Sequence, residues 1–219
     1  MIDTKKQEEL FRFIGEKLNK KIECYVIGGS AMMYYGMKDA TKDIDLVFEK
    51  EKDMEEIVRL LKSLGYKEKE TKILYPKKKN VPVLLERDAR FDLFSEKIVN
   101  TVLSDAMKER INAVYEYNNL IVKVISPEDL IITKCATERA GDRKDALEII
   151  KKTNVNWDVI IKESINQTEL SPYLFPLFLF DFLYELKEDL KADIPKEVLD
   201  KIRKISEKML EKEYKKTKK

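Results

Sequence analysis

The chain has 219 residues, enough for one large domain or two modest ones, and a 43% hydrophobic fraction supports a proper core. Charged residues reach 38% but are nearly balanced, 43 basic against 41 acidic, so the net charge of +2 does not by itself argue for nucleic acid. There is no histidine, which excludes Ser-His-Asp, Cys-His and His-zinc chemistry together.

Residues 4–19 read as a helix, with Thr4 and Gln7 spaced as a capping box and Leu10, Phe11, Ile14 and Leu18 on one stripe. Cys24 to Ile27 is a short apolar strand that runs into Gly28-Gly29. Residues 30–37 form a compact helix and 44–48 the next strand. A helix over 53–64 carries Ile57, Leu60, Leu61 and Leu64, and Gly65 stops it. Strands follow near 73–75, 81–85 and 90–94, then a helical piece over roughly 95–110. A hairpin spans 114–124 around Asn118-Asn119. Ser126-Pro127-Glu128-Asp129 starts another helix, and from Asp142 onward the pattern is almost wholly helical, with a Lys/Glu-rich end expected to fray. The order predicts an α+β (α/β) fold: a mixed β-sheet flanked by helices over residues 1–125, then an all-helical region over 126–219.

Cys24 and Cys135 lie far apart without a CxxC spacing and read as reduced thiols of a cytoplasmic protein. The most apolar run, residues 173–180, is too short to span a membrane and is cut by Pro176. Its aromatic face, with Phe175, Phe178, Phe182 and Leu186, reads as core rather than as an interface.

The chemistry concentrates in the stretch GGSAMMYYGMKDATKDIDLVF. Glycines at a strand-to-helix turn let a phosphate approach the backbone, and a tight turn capped by Ser30 is the plain alternative. In the strand that follows, Asp43 and Asp45 share a face, with Cα atoms roughly 6.5 Å apart. Two carboxylates side by side repel unless a cation lies between them. A calcium loop is excluded, because Ile44 stands where that loop needs glycine. Asp92, in Arg90-Phe91-Asp92-Leu93-Phe94, is a lone carboxylate among large apolar residues and costly to bury without compensation. Beside the Asp43–Asp45 strand it would complete a set of three, suited to two Mg²⁺ ions; otherwise it pairs with Arg90 or Arg87.

These residues resemble the polymerase-β-like nucleotidyltransferase superfamily, and in particular its small prokaryotic members and the AbiEii-type toxins of toxin–antitoxin systems. The likeness covers about residues 20–155. Downstream it includes Ser126-Pro127-Glu128-Asp129-Leu130, Lys134, and Arg139 with Asp142 and Asp145. The resemblance implies an enzyme that transfers a nucleotide from an NTP, with Mg²⁺ or Mn²⁺, to a hydroxyl of RNA or tRNA, of a protein or of a small molecule. It implies that Gly28, Gly29 and Ser30 hold the triphosphate, that Asp43, Asp45 and Asp92 are catalytic and bind metal, and that Lys134 reaches the phosphates. An antitoxin partner is part of the same expectation. One position departs: many relatives carry arginine two residues before Thr41, where this chain has Asp39, so Lys38 or Lys42 would make that phosphate contact. The basic runs 77–79 and 215–219 could contact phosphates or be solvated loops and tails. The rival reading is a non-catalytic NTP-binding or partner-binding module on the same fold.

Overall fold

A computed structural model describes residues 1–69, 82–137 and 139–217, with side chains to residue 215. It divides into two compact units, Met1–Ser126 and Pro127–Lys219.

In the first unit, β1 (Ile2–Asp3) leads into α1 (Thr4–Lys17), and β2 (Ile22–Val26) into α2 (Gly28–Tyr34). Next come β3 (Ala40–Thr41), β4 (Ile44–Phe48), α3 (Glu51–Ser63) and β5 (Lys67–Lys69). Then follow β6 (Val83–Glu86), β7 (Arg90–Ser95), β8 (Lys97–Ile98), β9 (Thr101–Val102) and α4 (Asp105–Glu109). The hairpin strands β10 (Ala113–Tyr117) and β11 (Leu120–Val124) complete the unit. Seven strands form one mixed sheet in the order β10-β11-β2-β4-β7-β6-β5. Strand β2 is parallel to β11 and antiparallel to β4, and β4 is parallel to β7. Central strands are buried on both faces, which is why β2 and β4 read as nearly unbroken apolar runs. Helix α1 lies against β10 and β11, and α3 against β4, β6 and β7. Phe11, Ile14, Ile22, Leu46, Phe48, Ile57 and Phe91 form the fully buried centre of this layer.

Two expectations are corrected here. The cap of α1 is Asp3, whose side chain accepts from the Lys6 N–H at 2.8 Å, because pairing of β1 with β3 sets the helix start. Gln7, freed from a capping box, is fully buried. Residues 95–110 are not one helix: Glu96 and Val99 take left-handed φ values of 52° and 56°, which turn the chain into the β8–β9 hairpin before the five-residue α4. The strand expected at 73–75 and the run 77–79 lie outside the described residues. The hairpin around Asn118 is present, with Asn118 at φ 53° as such a turn requires.

The second unit is helical among its described residues: α5 (Pro127–Cys135), α6 (Ala140–Lys152), α7 (Trp157–Leu170), α8 (Phe175–Glu188) and α9 (Lys196–Thr217). Its core includes Leu130, Ile131, Ile149, Ile160, Phe175, Leu179, Phe182 and Leu186, so three of the four residues of the aromatic face of α8 are core and Phe178 is half-buried. The end expected to fray continues as α9, whose inner stripe Val198, Leu199 and Ile202 is buried while Lys215 is exposed. Among the described residues no helix is long and apolar enough to cross a membrane.

Candidate active site

Strand β2 ends in a turn that only glycine fits. Gly28 has φ +60°, in the left-handed region, and a Cβ there would meet the Asp45 Oδ2 atom at 2.4 Å. A Cβ on Gly29 would meet the Thr41 Oγ1 atom at 2.5 Å, with the Lys38 ammonium 3.5 Å away. The two glycines therefore clear the space in which Asp45, Thr41 and Lys38 meet the backbone. The Ile27 N–H donates to the Asp45 carbonyl at 3.1 Å, which ties the turn to β4. Ser30 is buried, and its hydroxyl donates to the Asp43 carbonyl at 3.1 Å, so it fixes the approach to β4. Behind it, the Gln7 amide donates to the Ser30 carbonyl at 3.4 Å.

Asp43 lies one residue before β4 and Asp45 within it. In the parallel pairing of β4 with β7, Ile44 faces Phe91 and Asp45 faces Asp92. By the two-residue period of strands, Asp43, Asp45, Arg90 and Asp92 share one face of the sheet. Asp92 is 2% exposed. Burying a carboxylate costs several kcal/mol of lost hydration unless it is paired, and Arg90 supplies the pairing. The Arg90 Nε donates to one Asp92 oxygen at 2.7 Å and Nη2 to the other at 2.6 Å, a two-point contact. The Arg90 Nη1 also lies 3.8 Å from Asp43 Oδ2. A guanidinium thus bridges two of the three aspartates.

The carboxylate donors are the right type for a hard divalent cation. Asp45 and Asp92 are direct cross-strand neighbours, and the bridging guanidinium shows that the face holds a positive charge. Among the described residues, however, no group of three such donors is close enough to hold a metal ion.

In the second unit, Lys134 is almost fully buried on α5, and its ammonium donates to Asp142 at 3.1 Å and Asp145 at 2.7 Å on α6. Burial alone would raise the Asp142 carboxyl. The Lys134 charge, then hydrogen bonds from Arg139 and Thr137, bring it below the usual aspartate range. The anionic partners that a buried lysine needs are therefore in the chain itself, and these contacts join α5 to α6.

Sequence reasoning marked the glycines, Ser30 and the three aspartates, and named Arg90 only as an alternative partner. The alternation Arg90-x-Asp92 was the signal that both share a face. Gln7 carried none, since its helical spacing looked like a cap.

A mixed sheet with a glycine turn feeding a short helix, and aspartates on two adjoining central strands, defines a nucleotidyltransferase-like α/β protein. The family model described as a nucleotidyltransferase of unknown function (DUF6036) matches residues 6–174, and the chain belongs to that family. Among solved structures, an antigenic nucleotidyltransferase-like protein from Paracoccidioides brasiliensis is similar at 16% identity, covering 90% of this chain and 98% of that one with a TM-score of 0.44. No curated protein matches the chain.

Proposed function

We propose that the protein is a metal-dependent nucleotidyltransferase that transfers NMP from an NTP to an acceptor hydroxyl. The observation that carries this reading is the sheet face bearing Asp43, Asp45 and Asp92 beside the Gly28-Gly29 turn. Asp43, Asp45 and Asp92 would hold Mg²⁺ or Mn²⁺, which when bound stabilises charge on the attacking and leaving oxygens. Gly28 and Gly29 let Asp45, Thr41 and Lys38 pack against the turn, so a triphosphate at this turn would lie beside the Lys38 ammonium, which supplies a positive charge for it. Asp92, once parted from Arg90, is the base that takes the acceptor proton. The acceptor oxygen bonds to the α-phosphorus as the bond to the β-phosphate oxygen breaks, and pyrophosphate leaves. Lys134 keeps the role its contacts support, joining α5 to α6 through Asp142 and Asp145.

The acceptor classes are RNA or tRNA, protein and small molecules, and a toxin with an antitoxin partner is the setting the sequence resemblance suggests. Incubation with Mg²⁺, each labelled NTP, total RNA and cell protein tests the reading. Transfer that disappears in the Asp43→Ala/Asp45→Ala double variant supports it, whereas no transfer together with no NTP binding by calorimetry removes it. A second reading, a non-catalytic nucleotide- or partner-binding module, draws on the fact that Arg90 occupies both Asp92 oxygens. It expects NTP binding without transfer to any acceptor.

A further inference from the structure

We infer that Arg90 is an internal counter-ion that competes with the divalent cation for Asp92 and Asp43, so that metal loading requires its release. The inference rests on the proposed metal-dependent reading of this site.

Arg90 satisfies both oxygens of Asp92 at 2.6 and 2.7 Å and also reaches toward Asp43. Among the described residues this face lacks three convergent donors, although Asp45 and Asp92 are in register on neighbouring strands and Asp43 lies one residue before β4. The two arrangements compete: a guanidinium that donates to both oxygens of a carboxylate takes one lone-pair direction on each and opposes a second cation by charge repulsion. The two partners differ in mobility. Asp92 is nearly inaccessible, whereas Arg90 is 26% exposed and stands at the start of β7, so the arginine is the member able to swing out. Its release withdraws one positive charge from both Asp92 and Asp43, and the gain in local negative charge favours uptake of a divalent cation. In the unloaded protein, the guanidinium keeps Asp92 and Asp43 from repelling each other. Arg90 is thus a positioning residue with two effects of opposite sign: it stabilises the unloaded site and weakens its metal affinity.

The opposite signs separate this role from a purely structural one. Damage to the sheet would lower metal affinity, whereas removal of a competitor raises it. The test is Mn²⁺ binding, measured by calorimetry and by the loss of the free-ion EPR signal at pH 8, on the full chain and on Arg90→Met. The methionine keeps length and removes charge. The expected result is binding tighter by about tenfold, the size of a typical coupling between competing groups. The unloaded variant should melt below the parent, and saturating Mn²⁺ should narrow the gap.

Where Arg90→Met does not fold, Arg90→Lys serves instead. It cannot grip two oxygens at once and should show a smaller gain of the same sign. In the parent protein, the Arg90 Nε–H resonance should shift as Mg²⁺ is added. Affinity equal to or below the parent's, or an Nε–H signal unmoved at saturation, overturns the inference while parent binding abolished by Asp45→Asn leaves the metal-dependent reading standing. Absence of Mn²⁺ binding in both parent and variant overturns the two together.

Discussion

Gly28 and Gly36 offer a controlled pair of substitutions. Both adopt left-handed φ values, +60° and +64°, so alanine at either strains the backbone by about 1–2 kcal/mol. They differ in what the new methyl group meets. At Gly36 nothing lies within 4 Å; at Gly28 the Asp45 Oδ2 atom lies 2.4 Å away. That oxygen is the end of a short side chain able to rotate aside, so the extra cost in stability is small. The cost to the site is larger, because Asp45 is driven from the face it shares with Asp92. Misplacing a metal ligand through its support typically costs 10–100-fold in affinity, taken here as about tenfold or more. Urea denaturation should therefore give the two alanine variants similar losses, while Mn²⁺ calorimetry should show weakened binding only for Gly28→Ala. Equal metal affinities in the two variants would refute the claim that this glycine exists to clear Asp45.

Other outcomes follow from the buried charges and thiols. Lys134→Met should destabilise the protein by about 3 kcal/mol in urea, because Asp142 and Asp145 lose their buried cation, and adding Asp142→Asn should recover part of it; a double variant no better than the single one contradicts the pairing. Asp142 has a folded-state pKa depressed below its unfolded value of about 3.9. Its contribution is thus complete above that value and is lost as pH falls through the folded pKa. The acid limb of a urea-midpoint series should accordingly be flatter in Asp142→Asn, and parallel limbs would contradict this. Both thiols are buried, Cys135 pushed up to about 12 and Cys24 higher still by burial. Iodoacetamide at pH 8 should leave the native protein unmodified and add two groups in urea, and rapid native labelling of either thiol would contradict their burial.

Legibility in the sequence followed physical range. The spacing of Asp43 and Asp45 states which side of a strand they occupy, since strand alternation is a local property. That β7 lies next to β4 depends on sheet topology, and the sequence could pose this adjacency only as a condition; the Asp45–Asp92 register is its answer. The failures have local causes. Glu96 and Val99 take left-handed φ without being glycine, so a reading by glycine and proline had no marker for the turn at 96–99. The true cap of α1 depends on a two-residue strand pair, β1 with β3, too short to leave a pattern. The contacts of Lys134 were half legible. Its position beside Leu130 on an inward helix face demanded an anion, but whether Asp142 and Asp145 or a phosphate supplied it depended on how α6 packs on α5.

The most direct test of nucleotidyl transfer by this face is a paired labelling experiment with Mg²⁺, an acceptor pool of total RNA and cell protein, and NTPs labelled at either the α- or the γ-phosphate. Attack at the α-phosphorus predicts that the α label enters the acceptor while the γ label appears in pyrophosphate, and that both signals vanish in Asp43→Ala/Asp45→Ala. Transfer of the γ label to the acceptor, or α transfer undiminished in the double variant, would contradict the account.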